Sequence, residues 1–214
     1  MASIIGNAAS GRLSVLYVHG LFMTGLEGTL LLRRLRRRGF DGGRFVFSSL
    51  REEPVETAEK LAKQLAVRPD LHLVGHSLGG VIAARAIARS PDWRGRAVLL
   101  GPPLTGSATA RRAAELPGGR LLLGRGGRWL AGAVPRVRGQ DRIRVIAGTR
   151  NVGMGRLIGA CAGPGDGQVR VIETRLGGAT HVTRRRGHFA LVFDRRVARL
   201  TADFLHAARA EDEA

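Results

Sequence analysis

A strand-like run that ends in a serine flanked by glycines constrains this chain more than any other feature. Asp70-Leu71-His72-Leu73-Val74 is apolar, Gly75-His76-Ser77-Leu78-Gly79-Gly80 follows, and Val81 to Ala88 is a helical run. The expected path is strand, sharp turn, helix, with the Ser77 hydroxyl at the apex above the strand end. Glycines two before and two after the serine leave room for a tight backbone. With 31 glycines in the chain, Gly-x-Ser-x-Gly alone would carry little. Its position between strand and helix gives it weight; without that context it is a Gly/Ser connecting loop.

The 214 residues suffice for one domain with a large core, and 44% hydrophobic with 24% charged residues describes a globular, soluble chain. The formal charge is +18, and all but Lys60 and Lys63 of the 35 cationic residues are arginine. A phosphate-binding surface usually mixes both cations, with aromatics between them. Here the arginines run through the whole chain and aromatics are 5%, so no specific nucleic-acid partner is expected. The bias of a GC-rich genome accounts for the arginine most simply; an anionic partner such as a phospholipid membrane surface is the alternative. A lone cysteine, Cys161, excludes an intramolecular disulfide. Met1 to Arg12 lacks the basic and apolar regions of a signal peptide, and no apolar run approaches a membrane span. A cytoplasmic location is the expectation. The sequence carries no repeat or heptad pattern.

Strands are predicted at 13–18, 44–48, 70–74, 96–100 and 142–147, with a weaker sixth at 169–173. Helices are predicted at 26–38, with Leu30, Leu31 and Leu35 on one face, at 55–67 after Pro54, after Ser77, and at 194–208, where Val197, Leu200 and Phe204 form a stripe. Strands and helices alternate, which argues for a parallel sheet with helices on both faces and reactive residues beyond the carboxyl ends of the strands.

A serine hydroxyl becomes a nucleophile when a base takes its proton, and that base is typically a histidine oriented by a carboxylate. Of six histidines, His72 lies inside a strand, His76 adjoins Ser77 and should point away from it, and His206 is in the last helix. His188, after the Thr183–Gly187 loop and just before the final helical region, is the first choice as base, and His181 the second. The acid should follow a strand and precede His188. Asp141 precedes its strand and Glu173 lies within one. Asp166, in Gly163-Pro164-Gly165-Asp166-Gly167, satisfies the rule, although the same residues also describe an ordinary Asp-Gly turn. An oxyanion hole needs two donors. The Leu78 amide, at a helix start, is one. The amide of Leu21 or Phe22, in the loop after Val18-His19-Gly20, is the other. Cys161 has no turn of the Ser77 kind around it and reads as a small buried residue. No His, Cys and carboxylate cluster has metal spacing, and no phosphate loop is present, so neither metal nor cofactor is expected.

The order Ser77, Asp166, His188, together with Val18-His19-Gly20 and Gly75 to Gly80, resembles the α/β-hydrolase superfamily on its lipase and esterase side. Leu100-Gly101-Pro102-Pro103-Leu104-Thr105-Gly106-Ser107 resembles a segment of bacterial lipases and of the GPI inositol-deacylase-like group, with Pro102 in place of a threonine and Leu104 where an aromatic or histidine is frequent. The resemblance spans most of Leu13 to Leu205. It implies one domain over 1–214 with a trimmed α/β-hydrolase fold, about six mostly parallel strands, and a small lid-like insertion at 102–141.

In that insertion Leu121 to Leu123 and Trp129-Leu130 serve equally well as acyl-pocket lining or as core. With Phe22, Met23 and Leu104, Trp129 makes up the expected substrate wall, suited to a small acyl ester or a lipid. The expected activity is hydrolysis of carboxylic esters through an acyl-enzyme on Ser77. Thioesters and amides are alternatives within the class, and a non-catalytic basic binding module is the alternative outside it.

Overall fold

Four of the predicted strands are mainly apolar, as suits parallel strands covered on both faces, and they form the centre of one sheet. A computed structural model describes residues 11–212, with side chains through residue 207; Met1 to Ser10, which dominate the segment read above for a signal peptide, lie outside the described residues. The strands are β1 (Leu13–Val18), β2 (Phe40–Phe45), β3 (His72–His76), β4 (Ala97–Leu100), β5 (Ile143–Gly148) and β6 (Thr180–Arg184). They lie in the order β2-β1-β3-β4-β5-β6, and every pairing is parallel.

Helices α1 (Thr29–Arg36), α2 (Pro54–Val67) and α3 (Leu78–Ala88) connect the first four strands. Three short helices, α4 (Ala108–Glu115), α5 (Gly119–Leu123) and α6 (Gly126–Ala131), fill the interval after β4. A short α7 (Met154–Leu157) follows β5; α8 (Ala190–Phe193) and α9 (Arg195–Asp212) close the chain. Strand alternation divides the core in two. Leu16, Val18, Leu73, Leu99 and Val145 face α2 and α3. Val15, Tyr17, Val74, Val98, Leu100 and Ile146 face the other way, against α1, α8 and α9. On α9 the expected stripe packs there: Val197 and Phe204 are buried, and Leu200 is partly so. On α1, Leu31 and Leu35 are buried, but Leu30 points outward.

Two strand expectations need correction, and both concern sheet edges. The second strand is Phe40–Phe45 rather than 44–48. It pairs only with β1, so Gly42 and Gly43 are tolerated in it, while Val46 beyond it is exposed. Residues 169–173 are not the sixth strand; Val171–Thr174 is a 3-10 turn, and the strand is Thr180–Arg184, half exposed and paired only with β5. One-sided pairing lets a strand carry Thr180, His181 and Arg184, which hides it from a search for apolar runs.

His72 sits in the middle of the sheet, 3% exposed, and its Nδ1 accepts the Arg96 amide at 2.9 Å. Burial, reinforced by the Arg96 guanidinium, lowers its pKa to about 4. In the unfolded chain it titrates near an ordinary histidine value, so between roughly pH 6.5 and 4 the unfolded state binds a proton that the folded state does not. Its stabilising contribution is therefore complete above that window and is lost as pH falls through it. Denaturant titrations across this range should show stability declining on acidification, with about 1.4 kcal/mol per pH unit attributable to this one group. His72→Phe should flatten that part of the slope.

Candidate active site

Every β-strand delivers its following loop to the same edge of the sheet, and sheet order reverses between β1 and β3. The loop after β1 and the turn after β3 therefore flank a crevice. Ser77 stands on that turn with φ of 53° and ψ of −121°, a conformation that L-residues rarely adopt. Two contacts hold the strained turn. The Ser77 amide donates to the Leu100 carbonyl at the end of β4, 2.9 Å. The first turn of α3 is pressed onto β1, where a Cβ on Gly79 would come within 2.1 Å of the Val18 carbonyl oxygen. Only glycine fits there, which explains one of the two flanking glycines by close approach. The Ser77 side chain stays partly accessible in the crevice.

Asp166 and His188 meet. The His188 Nδ1 lies 2.7 Å from Asp166 Oδ2, with the two side chains 6% and 1% exposed. The loops are also tied through the backbone, His188 N–H donating to the Asp166 carbonyl at 3.0 Å. The other carboxylate oxygen accepts the amides of Gln168, 3.0 Å, and Val169, 2.8 Å. An acceptor-only carboxylate suits three converging donors, and with Nδ1–H donating, Nε2 keeps a free lone pair. Glu173 supports this loop from below. Only 3% exposed, it accepts the Arg170 amide, pairs with the Arg170 guanidinium at 2.9 Å, and takes the Ala108 amide of α4 at 2.7 Å. Glu173 was read as an interior strand residue; its place on a 3-10 turn lets its carboxylate join α4 to the Asp166 loop. At Gly101, whose φ is 56°, a Cβ would stand 2.9 Å from Asp166 Oδ2 and 3.2 Å from His188 Nδ1. The pair is packed directly on that glycine.

His181 does not join this pair. It sits on β6, its Nε2 2.8 Å from Thr174 Oγ1. Two other histidines do more than the sequence suggested. The His76 ring packs on that of His188, centroids 4.8 Å apart. Its Nε2 donates to the His188 carbonyl at 3.2 Å. Complete burial, and then the neighbouring His188, hold its pKa well below the ordinary range, so His76 is a neutral support for the ring beside it. His19 is fully buried and stacked on Phe47 at 4.1 Å. Its two nitrogens reach the carbonyls of Gly20, 2.9 Å, and Phe47, 3.1 Å, joining the loops after β1 and β2. A histidine that ends an apolar strand was the available signal for both roles.

In the loop after β1, the Phe22 amide donates to Ser49 Oγ at 3.1 Å, with Phe22 at a φ of 61°. Of the two candidate amides in this loop, that of Phe22 therefore already has an acceptor. Leu78 opens α3, where a first-turn amide has no acceptor within its own helix. The Phe22 ring is exposed and Met23 is half-buried. Trp129 is half-buried, with the Arg85 guanidinium 4.3 Å over its ring. Leu104 corrects its expectation. Its amide and carbonyl are bonded to Pro102 and Val134, and the side chain is 1% exposed within the α3-side core rather than on a substrate wall. Cys161 is buried as expected, and burial pushes its thiol pKa up.

No protein-family model and no curated protein matches this sequence. Solved structures do. The lipase BlEst2 of Bacillus licheniformis, in its propeptide form, is similar with a TM-score of 0.70 at 18% identity, over 89% of this chain and 49% of that one. The chain thus spans about half of that protein. The mature form of the same lipase gives 0.65 at 16% identity, covering 97% and 96% of the two chains. A metagenomic carboxyl esterase gives 0.64 at 16% over 99% and 79%, and the type II thioesterase BorB of the borrelidin cluster 0.60 at 16% over 96% and 95%. The narrower likeness to the GPI inositol-deacylase-like group rests on residues 100–107 alone. With six parallel strands in this order and neighbours of this kind, the chain has the fold of the α/β-hydrolase superfamily.

Proposed function

We propose that this protein is a serine hydrolase that cleaves carboxylic esters through an acyl-enzyme on Ser77. The observation that carries the reading is the buried 2.7 Å Asp166–His188 hydrogen bond, with the His188 ring seated on the residue next to Ser77. In this reading His188 Nε2 takes the hydroxyl proton as Ser77 Oγ bonds to the acyl carbon. Asp166 holds the ring in the tautomer that leaves Nε2 free and stabilises the imidazolium. The amides of Leu21 and Leu78 receive the negative charge on the carbonyl oxygen. The carbon–oxygen bond to the leaving group then breaks, and His188 returns its proton to the departing alkoxide. Water repeats the sequence against the acyl-enzyme and restores Ser77. No step calls on a metal or cofactor. In this reading helices α4 to α6 make up the small lid over 102–141, with Gly126 of α6 packed against Leu21 in the loop after β1.

Thioester cleavage is the second reading, favoured by the likeness to a type II thioesterase. Oxygen esters and thioesters of one acyl chain, compared by kcat/KM, separate the two.

Fluorophosphonate labelling tests the nucleophile. Label should attach to the wild-type protein and vanish in Ser77→Ala; label that persists in this variant would overturn the assignment. Asp166→Asn should keep the fold and lower kcat by up to about 10⁴. Gly101→Ala probes the support of the pair: its new methyl displaces Asp166 or His188, and the positive φ adds about 1–2 kcal/mol of strain. Labelling should slow by roughly 100-fold, with a lowered melting temperature. An unchanged labelling rate would show that the pair does not act on Ser77.

A further inference from the structure

The interval after β4 carries arginines that the proposed chemistry leaves unused. Between Pro102 and Gln140 stand seven arginines and a single acidic residue, Glu115. Helices α4, α5 and α6, with Leu50 after β2, enclose an open hollow of about 740 Å³. That lies within the range of about 300–1,000 Å³ typical of small-molecule sites. Its floor is apolar, built from Leu50, Leu123 and the alanines of α4 and α6, and Leu121 stands at its lip 88% exposed.

The rim is cationic. Arg111, Arg120 and Arg128 line it with their side chains in solvent. The nearby carboxylates are already engaged, Glu115 with Arg112 at 2.9 Å and Glu53 with Arg125 at 2.8 Å. An apolar floor under a cationic rim complements a molecule with one long apolar chain and an anionic head. A free inorganic anion would leave the floor uncovered, and a neutral lipid would leave the arginines unused.

The hollow lies across α6 from the loop after β1 and the start of α3. Gly126 opens α6 pressed against the loop after β1 and the start of α3: a Cβ there would lie 3.1 Å from Leu21 Cδ1 and 2.9 Å from Leu78 Cδ2. Gly127, the next residue, lines the hollow. One turn of α6 thus separates the hollow from the Leu21 and Leu78 side chains.

We propose that this hollow binds a single-chain anionic amphiphile, a long-chain carboxylate, with its tail on the Leu50–Leu123 floor and its head among Arg111, Arg120 and Arg128. That Ser77 supplies this carboxylate, as the acid released from a long-chain ester, rests on the ester-hydrolase reading; the binding itself does not.

Calorimetric titration of the Ser77→Ala protein with dodecanoate, below its micelle concentration, tests the site without requiring turnover. One equivalent should bind, acetate should not, and neutral dodecyl maltoside should bind at least roughly tenfold more weakly. The exposed double change Arg120→Gln/Arg128→Gln should weaken dodecanoate about tenfold, and added salt should weaken it further. Ala114→Trp, which fills the hollow, should abolish binding, with circular dichroism confirming the fold. Absence of binding, equal affinity for the maltoside, indifference to the arginine changes, or uptake only above the micelle concentration would each overturn the proposal. Failure of fluorophosphonate labelling would instead remove the hydrolase reading and leave these binding results standing.

Discussion

Because all six strands run the same way, every loop that leaves a strand's carboxyl end emerges on one edge of the sheet. The chain places β2 on one side of β1 and then carries β3 to the other, so the loops after β1 and β3 diverge and open a crevice between them. Everything chemically notable converges on that edge. His19 to Leu21 leave β1, Ser77 leaves β3, Gly101 leaves β4, Asp166 follows β5 and His188 follows β6. Without the parallel register, which sets Val18 beside Gly75 and His76 beside Leu100, these residues would be scattered along the chain with no common neighbourhood.

A second layer of contacts fastens these loops to one another. Asp166 receives the imidazole and two amides, while Glu173 ties its loop to the start of α4. His76 supports the His188 ring from the sheet side and donates to its carbonyl. Burial keeps His76 uncharged, so it places no second charge beside that ring. Buried polar groups are costly unless bonded. Their bonding here joins loops far apart in sequence: Asp166 to His188, Glu173 to Ala108 and His19 to Phe47. The strained backbone at Ser77 is retained because the sheet below and α3 behind leave it no relaxed alternative.

Much of this was legible from residue order, and the reasons for the rest are specific. Strands β1, β3, β4 and β5 are covered on both faces and have neighbours on both sides, so their apolar runs announce them. β2 and β6 lie at the edges, pair once, and carry glycine, threonine and arginine; their boundaries could not be read from apolar content. Val169 to Glu173 looked like a strand by its β-branched residues. The Asp166 carboxylate takes the Val169 amide and Glu173 turns the chain, so side-chain capture outweighed local propensity. Leu104 was misjudged for a related reason. Whether a side chain enters the core or an amide is already bonded depends on partners that are distant in sequence.

From the sequence alone came the reactive residue types, their order, and the strand, turn and helix that present Ser77, because these follow from local backbone preferences and hydrophobic periodicity. Residue order already favoured His188 over His181; it was the tertiary structure that placed one beside Asp166 and the other on Thr174. The same holds for assigning His76 and Glu173 to support, and for gathering the arginines of α4 to α6 around one apolar hollow. Such assignments depend on which side chains the folded sheet brings within a few ångströms of each other, and no local pattern encodes that proximity.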